Sequence, residues 1–418
     1  MNYYSLDKKA DIKINVGWLW YSIVFLFALN FNNKAPYLMI LLIIIGFIVI
    51  LLKNSKFKIT LDLLPIFLFS IFYFIILTNY QPVGMSTILL FLIGPIACFS
   101  IGYFIISEND KVFERTMLAI ILGLFIHGLF NMIKYFQVYG FISIGGARVV
   151  PDIWTGINIA ATMQGTYFSL ISSMLFYSIF LKKQRSFFLS IILISGIIFS
   201  LLSSVILGNR TMLLILIISF LVNFFIFLFL KKIKLNSLVN GVFLVSILLL
   251  IGFLVYTNNV LGIKEFILNS TLYKRTESSA LFEDSRFLIY QTAIHQMFDF
   301  PLGGYKMSFT YAHNLWLDVL NATGLIPFFF LLLYTLISVK NLLGILIISQ
   351  ISIEKKIFFV SNYLGFFLTF MVEPILEAVP FMFLMFILFN GMTKKTLDLN
   401  KPRNTPVKER NYANTMAH

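Results

Sequence analysis

Long apolar blocks, each closed by a short polar or basic patch, recur along the whole chain. A helix needs about 20 apolar residues to cross a hydrocarbon core, and it must satisfy its own backbone hydrogen bonds there. The pattern therefore predicts about twelve membrane-spanning helices, over 14–30, 36–52, 61–78, 87–106, 116–135, 158–181, 187–207, 211–230, 238–256, 315–339, 356–372 and 378–393. The stretch from Leu342 to Ser349 either extends the tenth span or lies along the interface. The first block follows Lys8, Lys9 and Lys13 as a secretory signal would, but no small-x-small cleavage site follows, so it reads as a retained helix. The expected fold is an all-α polytopic membrane protein, with residues 1–418 forming a single integral membrane domain.

One long polar segment interrupts the series, a loop over 257–314 between the ninth and tenth spans. Loops of that length are uncommon unless they carry function. Within it, Phe287, Tyr290, Ile294 and Met297 recur at helical spacing, with Ser285 as a candidate cap and Pro301, Gly303 and Gly304 as a stop. A surface helix over Glu283–Phe300 is expected, lying on the membrane or under a lid.

Composition removes the soluble alternatives. Hydrophobic residues make up 59% of the chain and charged residues 12%, whereas an ordinary soluble domain is about one quarter charged. The net charge of +14 falls between apolar runs instead of among polar residues, which is the mark of membrane topology and not of nucleic-acid binding. Twenty-three of the 32 Lys and Arg residues lie at the termini or after even-numbered spans. Cytoplasmic loops collect such residues, so both termini are expected in the cytoplasm, the C-terminal one as a basic tail over 394–418. Cys98, the single cysteine, lies in an apolar run and builds neither a disulfide framework nor a thiolate metal site.

The remaining cations are expected on the opposite face. Lys34 and Lys134 stand alone there, while Arg148, Arg210, Lys264, Lys274, Arg275, Arg286 and Lys306 fall between positions 140 and 313. Solvated loops carry some charge, but topology does not ask for these seven, and a site for an anionic ligand would use them. Gly208, Asn209, Arg210 and Thr211 break what is otherwise one apolar run from Phe187 to Leu230, which predicts a tight hairpin with an arginine at the lip of the bilayer. That arginine is either a snorkelling anchor or a planar, bidentate fork for phosphate oxygens. Gly145, Gly146 and Arg148 form a second small turn with a cation.

Of the four histidines, only His313 stands where the large loop enters the next span, followed by Asn314 and Trp316, with Asp318 further along. Histidine suits proton transfer near neutral pH, and interfacial packing is the alternative. His127 lies within the fifth span and reads as packing; His295 falls on the surface helix and His418 ends the chain. No zinc motif, P-loop or dinucleotide fingerprint occurs.

In their order along the chain, these residues resemble the O-antigen ligase and polymerase superfamily of bacterial membrane glycosyltransferases. The resemblance rests on the hairpin Gly208–Thr211, then Asp284, Ser285 and Arg286, then Tyr290, then Phe300 to Tyr305, then His313 to Leu317, and on Gly324 and Leu325. It covers roughly Ser200 to Phe329, and Asn209 stands where a small Ser or Thr often precedes the hairpin Arg.

The resemblance implies a metal-independent, inverting enzyme of the GT-C type without a cofactor. Its donor and acceptor would be undecaprenyl-diphosphate-linked oligosaccharides at the outer face of the bacterial plasma membrane, with a flippase and chain-length regulator as protein partners and membrane lipid around it. Arg210 and Arg286 would hold the diphosphate and His313 would take the proton of the attacking hydroxyl. Arg275, Lys274, Arg148, Asn314 and Tyr305 would bind substrate. The favoured activity is polymerisation of repeat units into O-antigen or capsular polysaccharide, because only eight residues separate Gly304 from His313 and leave little surface for a bulky acceptor. A ligase acting on lipid A-core is the alternative within the family. A flippase for the same lipid-linked sugars is the alternative outside it, and would call for more ionisable groups deep within the spans.

Overall fold

Runs rich in Ile, Leu and Phe offer no side-chain partner to a backbone amide, so each closes its own hydrogen bonds as helix. The computed structural model describes residues 16–52, 60–82, 84–106, 111–140, 148–180, 187–231, 250, 254, 256–278 and 285–400. Its first helices are α1 (Val16–Ala28), α2 (Ala35–Leu52), α3 (Leu63–Thr78), α4 (Met85–Ile105) and α5 (Lys111–Tyr139). A short antiparallel hairpin follows, β1 (Val149–Pro151) on β2 (Asn158–Ala160), with Val150 opposite Ile159. Then come α6 (Ala161–Ser173), α7 (Leu175–Phe180), α8 (Phe187–Leu207) and α9 (Arg210–Lys231). The loop region holds α10 (Ile263–Asn269), α11 (Thr271–Ser278) and α12 (Ser285–Gln296). The chain continues through α13 (Leu315–Thr323), α14 (Leu325–Ile347), α15 (Ile353–Phe370), α16 (Ile375–Ala378) and α17 (Pro380–Asn400).

Six of these, α2, α4, α5, α8, α9 and α14, are long and apolar enough to cross a membrane, while α1 and α3 are shorter apolar helices. The chain is thus an all-α membrane protein, as its hydropathy predicts. The centre of the bundle is α17, whose residues from Phe381 to Thr393 are all buried. It packs most extensively on α4, and α1 and α14 also lean on it. A helix apolar on every side belongs inside, and this one is enclosed by protein on every side.

The structure departs from the expected elements at four places. The tenth span, expected as one helix over 315–339, breaks at Gly324 into α13 and α14. At Gly324, φ is +79°, and the Leu325 amide leaves the helical pattern to donate to the Pro301 carbonyl at 2.8 Å. The second part then runs on to Ile347, so most of the stretch from Leu342 to Ser349 extends that span. The sixth, expected over 158–181, opens with β2 and pauses at Met174. The surface helix is present but ends at Gln296, and α10 and α11 add two short helices that periodicity did not reveal. The final helix runs beyond 393 to Asn400, with Lys394 paired to Asp62 at 3.7 Å and to Asp398 at 3.1 Å. The expected span at 238–256 falls largely outside the described residues, as does the turn at Gly145 and Gly146.

Candidate functional site

At one end of the bundle, short polar contacts gather segments far apart in sequence around the start of α6. The Ala161 amide donates to the Arg148 carbonyl at 2.9 Å, and the Asn209 side chain donates to the Ala161 carbonyl at 2.9 Å. Thr162, the next residue, hydrogen-bonds the Glu373 carboxyl. Arg286 donates from Nη1 to the Val372 carbonyl at 3.3 Å. Both the Tyr290 hydroxyl (3.1 Å) and Asn314 Nδ2 (3.3 Å) donate to the Met371 carbonyl. The fold thus brings Arg148, Arg210, Arg286, His313 and Asn314 into one neighbourhood.

Asn209 explains its own departure from Ser or Thr. Its Oδ1 accepts the Met212 amide at 3.2 Å and the Thr211 hydroxyl at 2.6 Å, while its Nδ2 reaches α6. A serine could cap the helix, but its single short hydroxyl could not also span to Ala161. The residue is buried, so the capped turn presents Arg210 from a fixed base.

Arg148 lies within electrostatic reach of both Arg210 and Arg286. Burial first, then the charges of Arg210 and Arg286, push the exposed Arg148 guanidinium below the usual arginine range. Like charges held together raise the local potential, which is what a polyanionic ligand would relieve.

Arg148 is tied down through its loop. Asp152 Oδ2 meets Nε2 of the fully buried His127 at 2.8 Å, and His127 stacks on Tyr167 with ring centroids 4.1 Å apart. Burial alone would raise the Asp152 carboxyl, but bonds from His127 and Thr155 prevail and hold it at about 2. Lys134 Nζ adds a bond to the Asp152 carbonyl at 2.9 Å. His127 is thus a packing and anchoring residue, in line with its position in the fifth span.

His313 sits in the left-handed region, φ 54°, where non-glycine residues are uncommon. Asp318, one turn into α13, makes that conformation tenable. Its two carboxylate oxygens accept the Ala312 amide at 2.6 Å and the Asn314 amide at 3.0 Å. Asn314 in turn caps α13 through the Leu317 amide at 3.2 Å.

The imidazole opens onto a cavity of about 120 Å³ that it shares with Thr162, Thr166 and Glu373. Glu373 was not among the sequence-derived candidates. It is buried, 4% exposed, with Oε1 lacking a hydrogen-bond partner, and burial pushes its carboxyl up to about 7 although Arg286 pulls the other way. A few residues on, burial and then the Asp318 charge push Glu377 up to about 8. Two carboxyls set among Pro374 and Pro380, between the last two apolar runs, were the signal in the sequence.

Not every expected residue joins the cluster. Tyr305 lines a second, larger cavity, and Lys274 is exposed on α11. Arg275 lies on α11 beside Lys274, with its side chain outside the described part of the structure. Helix α11 itself packs on α8, bringing Thr271 against Gly208 at the hairpin.

The chain matches no protein-family model and no curated protein.

Proposed function

We propose that the chain is a membrane glycosyltransferase that polymerises undecaprenyl-diphosphate-linked oligosaccharides at the outer face of a bacterial plasma membrane. The observation that carries this reading is the convergence of Arg148, Arg210 and Arg286 beside a cavity lined by His313 and Glu373. On this reading the bundle crosses the membrane about twelve times in a GT-C-type arrangement, with both termini cytoplasmic and the arginines outside.

In the reaction, a hydroxyl oxygen of the acceptor sugar bonds to the anomeric carbon of the donor. The bond from that carbon to the phosphate oxygen breaks, and the diphosphate leaves with the electron pair. Negative charge grows on the leaving group, and preorganised guanidinium groups stabilise it in proportion to that growth. His313 accepts the hydroxyl proton, a contribution of roughly 10²- to 10⁴-fold. Attack opposite the leaving diphosphate inverts the anomeric configuration. Glu373 gives the cavity a carboxyl that burial pushes up to about 7, and its bond from Thr162 ties the cavity wall to α6.

The test is reconstitution of the full chain with lipid-linked repeat units alone. A ladder of products without any lipid A-core acceptor is expected. Products only when the core acceptor is added would establish a ligase instead, and lipid-linked sugars crossing the bilayer unextended would establish a flippase.

A further inference from the structure

A second cavity, of about 550 Å³, opens at the same end of the bundle as His313 and has a different chemistry. Tyr73, Phe91, Tyr305 and Tyr311 give it ring faces and Gln81 and Glu377 give it polar ends. Hydroxyls of Ser86, Thr87 and Thr310 complete the polar part, and among the described residues no lysine or arginine lines it. The arginine cluster suits a diphosphate; this cavity suits an uncharged, hydroxyl-rich ring, whose apolar faces pack on aromatics while its edge hydroxyls seek donors and acceptors. Its volume falls in the range typical of small-ligand sites, about 300–1,000 Å³.

The two cavities share their walls. Ile375, Ala378 and Val379 line the His313 cavity, while Leu376, Glu377 and Pro380 line the tyrosine-rich one, so the single-turn helix α16 stands between them. The loop ahead of α13 divides the same way, with Thr310 and Tyr311 on one side and His313 on the other. The far wall carries a π-helical turn, Ile88–Ile93, of the kind that often marks functional sites.

We propose that the tyrosine-lined cavity is a saccharide subsite that takes a neutral pyranose of the glycan substrate, separated by α16 and the 310–313 loop from the reacting centre. This rests on the glycosyl-transfer reading and adds to it the site that recognises the sugar. Glu377, partly buried with Oε2 lacking a hydrogen-bond partner, is the polar group placed to meet a sugar hydroxyl.

Saturation-transfer NMR on the full chain in nanodiscs tests this with methyl glucoside, galactoside, rhamnoside and N-acetylglucosaminide, and with methyl glucuronide as an anionic control. At least one neutral glycoside should receive saturation, and binding should weaken about tenfold in Glu377→Ala, the scale of one lost hydrogen bond. Ser86→Trp provides a second variant that fills the cavity from an exposed position, and should abolish the signal without touching the core. No transfer from any neutral glycoside, or transfer that survives Ser86→Trp, overturns the proposal.

Chain-extension kinetics separate the two sources of the ring. Ser86→Trp raises the KM for an added short lipid-linked unit if the ring belongs to the acceptor. It slows hydrolytic release of the lipid diphosphate without acceptor if the ring belongs to the donor. Glycoside binding by a full chain that makes no ladder from lipid-linked repeat units sinks the polymerase reading alone. Extension that needs Arg210 in a protein blind to glycosides sinks the subsite alone.

Discussion

Asp318 brackets His313 by accepting the amides on either side of it, from Ala312 at 2.6 Å and from Asn314 at 3.0 Å. The carboxylate thus fixes the backbone that aims the imidazole. Hydrogen bonds to a charged group contribute about 1.5–3 kcal/mol each, enough to offset the left-handed strain at His313 of about 1–3 kcal/mol.

Removing that bracket should misplace the imidazole without deleting it. Asp318→Ala is expected to lower kcat for chain extension by roughly 10²-fold with little change in KM, the cost of an ångström-scale error in position. Asp318→Asn should be intermediate, because its amide has one oxygen to accept with and an NH₂ that faces a donor. A rise in KM at unchanged kcat would place Asp318 in substrate binding instead.

The arginine cluster and His313 are expected to fail in different ways. Arg210→Ala and Arg286→Ala should each cost roughly 10²- to 10³-fold in extension rate, the scale of one lost transition-state donor. Arg210→Lys should remain impaired, since a point charge does not reproduce a planar fork. His313→Ala should lose about 10²- to 10⁴-fold. Each is read from product ladders at matched membrane expression, and a near-normal ladder removes that residue from the chemistry.

The carboxyls around the cavities make stability depend on pH in a defined direction. Burial holds Glu373 near 7 and Glu377 near 8, both above the ordinary carboxyl value near 4. Between pH 4 and 8 the folded protein binds more protons at these groups than the unfolded chain, so their linkage favours folding at low pH and weakens as pH rises. The melting temperature of the detergent-purified protein should fall from pH 5 to pH 8, and Glu373→Gln should flatten part of that slope. An unchanged slope in Glu373→Gln would mean that its carboxyl is ionised throughout.

Much of this was legible in the sequence because hydropathy and chain order carry it. The apolar blocks predict the helices, and Arg210, Arg286, His313 and Asn314 stand out as polar interruptions where runs begin or end. Glu373 and Glu377 did not, because a count of cations sets topology and leaves acids unread, and because burial, which gives them their character, is a property of the fold. Tyr305 stood among the substrate-binding candidates by its place in the motif, and only the fold shows that it lines a cavity apart from the arginines. The hairpin at 148–160 was equally hidden: its strands are three residues long, too short for an alternating pattern to register.

The Pro-Gly-Gly segment and the Gly-Leu step of the next span, separate pieces in the sequence, are two halves of one contact. The Gly304 and Tyr305 amides donate to the carbonyls of Ala322 and Asn321, each at 2.9 Å, and Leu325 returns a bond to Pro301. A Cβ on Gly324 would collide with the Pro301 carbonyl, and one on Gly303 would lie 2.5 Å from the Gly324 amide. Both glycines also have φ near +70°, which an L side chain resists. Gly324→Ala should therefore cost at least about 1–3 kcal/mol and splay the loop away from the end of α13. The loop carries Tyr305 and leads to His313, so extension activity and glycoside binding should fall together, alongside a lower melting temperature. Loss of extension with glycoside binding intact would show that the contact serves only the His313 side of the partition.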